Sequence, residues 1–172
     1  MSDPIPAIET IQNPLIARMV GFIQSIGLTV RLATIAESTF LPGVTVQNGI
    51  LIIDQERLLY PGDLLHEAGH LALLPAMERL HADGEVGDDG GMEMGAIAWS
   101  YAAALHLGLT PATIFHDAGY RGGSQALLDN FAAGRYVGVP LLQWMGLTVD
   151  ARNAQARGIE PYPSMLRWLR EE

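Results

Sequence analysis

The sequence predicts an α+β fold: a small antiparallel sheet of about three strands packed on a histidine-bearing helix, followed by a mostly helical C-terminal half. Three observations lead there. A period-two run and a hairpin signature lie between residues 28 and 53, apolar residues recur at helical spacing on both sides of them, and beyond residue 109 only helical segments are punctuated.

Asn13 and Pro14 read as a helix start, and Leu15, Ile16, Met19, Val20, Ile23 and Ile26 follow at helical spacing until Gly27 closes the segment. Leu28, Val30 and Leu32 alternate with Thr29 and Arg31, the pattern of a half-buried strand. Val44 to Gln47 and Ile50 to Ile53 flank Asn48-Gly49, the dipeptide that best supplies the two positive φ angles of a type I′ turn. Pro61 suits a first helical position, Asp63 complements the helix dipole, and Leu64, Leu65, Ala68, Leu71 and Ala72 give that helix a core face until Pro75 ends it. Residues 84–91 form an acidic, glycine-rich loop, and a second long helix runs from near Met92 to about Leu107. Thr110-Pro111, Gly122-Gly123-Ser124 and Gly138-Val139-Pro140 then punctuate three short helical segments. Asp150 to Pro163 reads as a polar connection, and Met165, Leu166, Trp168 and Leu169 as a final amphipathic piece.

With 172 residues, 49% of them hydrophobic, the chain has material for the core of one domain: residues 1–109 for the first helix, the sheet and the histidine helix, 110–172 for the helical remainder. A net charge of -9 would repel a phosphate backbone, so nucleic acid is not an expected partner. No apolar run approaches a bilayer span, and the start Met1-Ser2-Asp3-Pro4 lacks the pattern of a secretory leader, so the expectation is a cytoplasmic protein without a membrane partner. The chain has no cysteine, which leaves histidines and carboxylates as metal ligands.

The chemistry-bearing motif is His66-Glu67-Ala68-Gly69-His70. Residues four apart share a helix face, so both imidazoles can reach one Zn2+ ion, and Glu67, one step round, can act as general base toward water on that ion. Apolar neighbours flank both histidines, where imidazoles without a ligand would carry a desolvation cost. A catalytic zinc needs a third protein ligand. The metzincin extension is excluded, because Leu73 and Ala76 stand where its glycine and histidine would be. Glu93, at the start of the next helix, is the favoured third ligand, with the loop acids Glu85, Asp88 and Asp89 as competitors.

From the hairpin through this motif to the Glu93 helix, the chain resembles gluzincin-type zinc metallopeptidases, among them the minigluzincin and ImmA/IrrE-type HExxH family. That resemblance implies His66, His70 and Glu93 as metal ligands, Glu67 as the base, and a peptide or protein as substrate. Family members often carry an alanine–asparagine pair and an aromatic residue soon after the glutamate; here Trp99 supplies the aromatic and the asparagine is absent.

Outside the motif, His116, Tyr120 and Arg121 are secondary candidates for stabilising an oxyanion, though packing or surface roles explain them more simply. His81 and His106 read as structural or exposed, and Trp144, Met145, Trp168 and Leu169 as core or a homo-oligomer contact. The reading reached is a zinc-dependent metallopeptidase; its rival is a metal-binding regulatory or interaction module without turnover.

Overall fold

The computed structural model describes residues 10–84 and 89–172. Helix α1 (Pro14–Ser25) starts where Asn13 accepts hydrogen bonds from the amides of Leu15 (2.9 Å) and Ile16 (3.4 Å), and it buries Ile16, Met19, Val20, Phe22 and Ile23. It stops at Gly27, whose φ of 101° lets Leu28 donate back to the Ile23 carbonyl.

Strands β1 (Thr29–Leu32), β2 (Val44–Gln47) and β3 (Ile50–Ile53) form one sheet in the order β1-β3-β2. The Asn48-Gly49 turn has φ of 47° and 72°, as a type I′ hairpin requires, so β2 and β3 are antiparallel. β1 pairs with β3 in parallel, Thr29 opposite Ile50, and the expected wholly antiparallel sheet is therefore a mixed one. The cause is the connection 33–43, which reverses the chain but leaves a strand-wide gap between β1 and β2 that β3 fills. As the central strand, β3 has Leu51, Ile52 and Ile53 all buried, which explains its unbroken apolar run.

Helix α2 (Gly62–Leu73) carries the histidine motif. It ends because Leu74, which precedes Pro75, is extended at ψ 144°. A short turn of helix, α3 (Ala76–Arg79), then returns Arg79 to the end of α2, where its guanidinium donates to the carbonyls of Leu71 (2.9 Å), Leu74 (2.9 Å) and Arg170 (2.6 Å). Helix α4 (Gly90–His106) is capped by Asp89, which accepts from the amides of Gly91 (2.9 Å) and Met92 (2.8 Å). Ten consecutive residues of α4, Gly95 to Ala104, are buried.

Small residues let α2 and α4 meet closely. A methyl group on Gly69 would sit 3.2 Å from the Ala96 carbonyl oxygen and 3.2 Å from Trp99, and one on Gly95 would sit 2.8 Å from Leu73. Around this pair pack α1, the sheet, α5 (Ser124–Ala132) and α6 (Val139–Trp144), and a further helix, α7 (Ala151–Arg157), buries only Ala154. α7 falls inside the stretch expected to be a connection. Asp150 caps it by accepting from the Asn153 amide at 2.8 Å, and Gly158, at φ 66°, ends it.

The last residues, 164–172, form no helix, because their backbone groups are satisfied by other elements. Leu166 and Arg170 donate to the carbonyls of Leu147 (2.8 Å) and Ala72 (2.9 Å), and the Trp168 carbonyl accepts from the Trp99 indole at 2.9 Å. Trp168 lies edge-on to Phe22 and Trp99, and Met145 is buried, so both belong to the packed body, whereas Trp144 is 72% exposed. Among the described residues no helix is long and apolar enough to cross a membrane.

Gly69→Val is expected to force α2 from α4 and cost about 1–3 kcal/mol, the usual range for overpacking a close contact. Chemical denaturation of the metal-free protein measures it; an unchanged midpoint would contradict the close packing.

Candidate metal centre

Helical geometry places the rings of His66 and His70 on the side of α2 that faces the first turns of α4, where Glu93 follows its cap by one turn. The two Nε2 atoms are 3.1 Å apart. Glu93 Oε1 is 3.3 Å from the His66 Nε2 and Oε2 is 3.0 Å from the His70 Nε2. Among the described residues this is the one group of three histidine or acidic side chains whose ligand atoms lie within 4.8 Å of one another.

These separations are of the size a shared metal ion would require. Ligand bonds of about 2.0–2.1 Å in a tetrahedral arrangement put neighbouring ligand atoms about 3.3 Å apart, close to the spacing of the three donors here. Both histidines are buried, at 8% and 4% exposure, while the Glu93 side chain is 44% exposed. The cluster is thus walled by protein behind the imidazoles and open on the carboxylate side.

The electrostatics divide the two glutamates. Hydrogen bonds from His66 and His70 hold the Glu93 carboxyl far below the usual carboxylate range, against the effect of its burial. Glu67 is pushed up by burial, opposed by the neighbouring His70 and His66 and reinforced by the charges of Glu93 and Asp63. One carboxylate is held in its charged form beside the imidazoles, and the other is made readier to take a proton. Glu67 also lines a groove of about 540 Å³ that runs under the connection after β1, past Ile35, Phe40, Thr45 and Ile52. The groove wall is anchored: Ile35 donates to Asp54 at 2.9 Å, and Arg57 donates to the carbonyls of Ile35 and Glu37.

Of the competing acids, Asp89 serves as the α4 cap. Glu85 and Asp88 lie outside the described residues. His81 and His106 are exposed, and His106 packs on the rings of Phe22 and Trp168.

The second half of the chain comes closer to the cluster than the sequence suggests. His116 and Tyr120 lie on a loop and a 3-10 turn (Tyr120–Gly122) rather than an α-helix. The Tyr120 hydroxyl is 3.4 Å from the His66 Nδ1, and burial, reinforced by the charges of Asp63 and Glu93, pushes its pKa far up, so it stays neutral. His116 Nε2 is 2.7 Å from Asp63 Oδ1, and its ring stacks on Tyr60 at 4.1 Å. Arg121 is exposed. The Asp63–His116 pair was missed by sequence reasoning. Its one local signal was that Asp63 stands three residues before His66 and seven before His70, on the same helix face.

Comparison of the chain with protein-family models, with curated proteins and with solved structures returns no match.

Because the folded state raises the Glu67 pKa, the charged carboxylate opposes folding: the penalty is absent below the unfolded-state value, grows as pH rises from there to the folded value, and is full above it. Glu67→Gln is therefore expected to raise the melting temperature of the metal-free protein at neutral pH. The gain should disappear at acid pH; an equal gain at both pH values would refute this origin.

Proposed function

We propose that the protein is a zinc-dependent hydrolase of peptide or amide bonds, with His66, His70 and Glu93 as the ligands and Glu67 as the general base. The observation that carries this reading is the spacing of 3.0–3.3 Å among the two Nε2 atoms and the Glu93 oxygens, with Glu67 on the same helix lining a groove. The resemblance of the motif and the following glutamate helix to gluzincin metallopeptidases supports a peptide or protein substrate.

Zinc, when bound, supplies Lewis acidity that makes water nucleophilic near neutral pH. The chain's own residues do the rest. Water adds to the carbonyl carbon, Glu67 takes its proton, the C–N bond breaks, and Glu67 returns the proton to the leaving nitrogen. Burial favours this role, because a base with a raised pKa holds the transferred proton better. The exposed side of the cluster, at Glu93, distinguishes it from a closed structural site, and this favours turnover over a metal used only to hold helices together.

Purified protein supplemented with zinc at neutral pH is expected to hold close to one ion per chain by elemental analysis; a ratio far below one would remove the basis of the reading. Glu67→Gln should keep the metal and lose turnover on peptides that the wild type cleaves. Glu93→Ala should weaken zinc binding greatly in a chelator competition, whereas Asp89→Ala should cost about 1 kcal/mol of stability as a lost cap and leave zinc affinity near wild type. The reverse ranking would move the third ligand off the helix.

A further inference from the structure

Tyr120 is held in place by an unusual piece of backbone. Tyr120, Arg121 and Gly122 have φ of 54°, 52° and 82°, three consecutive left-handed residues of which two carry side chains. Such a conformation persists only where its surroundings impose it. Gly122 donates to the Gly119 carbonyl at 3.1 Å and Gly123 to that of Tyr120 at 2.9 Å, while the Ser124 hydroxyl donates to the carbonyl of His116 at 2.5 Å. His116 in turn is tied to Asp63, one turn before His66 on α2. The loop is thus fastened to the same helix that its tyrosine reaches. Tyr120 lies edge-on to Phe115, with ring centroids 5.5 Å apart, and edge-on to His66 at 5.8 Å.

The two histidines differ on their far sides. His66 Nδ1 has the Tyr120 hydroxyl at 3.4 Å, whereas the buried His70 Nδ1 has no hydrogen-bond partner among the described residues. An imidazole that gives its Nε2 lone pair to a metal carries its proton on Nδ1, and a group accepting that proton fixes both tautomer and ring orientation.

We propose that Tyr120 is a positioning residue: its phenol oxygen accepts the Nδ1 proton of His66 and so aims the Nε2 lone pair into the cluster with His70 and Glu93, while the left-handed turn 120–122 holds the phenol there. This rests on the metal-site reading above. It concerns no contact between Tyr120 and substrate. A phenol suits the place because its oxygen has a lone pair to offer the Nδ1 proton and brings no formal charge of its own.

The test uses the full chain and zinc itself, with affinity read by chelator competition and ligand geometry read from the visible absorption of the cobalt-substituted protein. Tyr120→Phe keeps the ring and its packing and removes only the oxygen; zinc affinity should fall by about 10- to 100-fold, the usual effect of losing a group that orients a ligand. The cobalt spectrum should change with it, while the melting temperature of the metal-free protein stays at the wild-type value. Tyr136→Phe, in the aromatic cluster with Phe131 and Tyr162, is the control and should bind zinc as wild type does. Gly122→Ala provides a second variant: a Cβ there meets nothing within 4 Å, so it acts through the backbone angle alone and should also lower affinity. Wild-type affinity and an unchanged cobalt spectrum in Tyr120→Phe, with zinc still bound by the parent chain, would overturn this inference and leave the metal centre standing. Failure of the parent chain to bind zinc would overturn both.

Discussion

Everything in the site depends on how closely α2 and α4 approach each other. The two imidazoles come from one helix and the carboxylate from the other, and their separations are set by the distance between two backbones. That distance is possible because Gly69 and Gly95 have no side chain and Ala96 has a short one. Gly69 lies inside the motif itself, one residue before His70, so the residue that permits contact and the residue that uses it belong to the same turn.

Such a pair of helices leaves polar ends that must be satisfied, and distant parts of the chain do this. Arg79 closes the carbonyls at the end of α2, Arg170 donates to Ala72, and the Trp168 carbonyl holds the indole of Trp99 on α4. Asp89 caps the other helix immediately before Glu93. Beside the cluster, burial raises the pKa of Asp63 and Glu67, whereas hydrogen bonds from His66 and His70 lower that of Glu93. An apolar frame that includes the fully buried Trp99, Leu71 and Leu64 surrounds the three side chains.

What the sequence made legible was local. The Asn13 cap, the Asn48-Gly49 hairpin, the stop before Pro75 and the spacing of His66, Glu67 and His70 are each decided within a few residues, and Glu93, which lies beside the two imidazoles, stands one turn into the next helix. The pairing of β1 with β3 was not legible, because nothing in β1 says which side of a later hairpin it will join. The same holds for His116 and Tyr120, whose partners Asp63 and His66 lie 53 and 54 residues away. The α7 helix is legible in principle from Asp150 and Gly158, ordinary start and stop signals, but the segment between them carries too little apolar surface to show a helical period.

The insertion of β3 between β1 and β2 also bears on how the chain folds. The β2–β3 hairpin closes through two residues and can form early, whereas the parallel β1–β3 edge closes only after the whole stretch from 33 to 49 has been looped back, at a larger entropic cost. The sheet is therefore kinetically asymmetric. Loop-closure entropy alone predicts that the hairpin side forms first and the β1 side docks afterwards, so amide exchange should report the parallel edge as the later to gain protection during refolding.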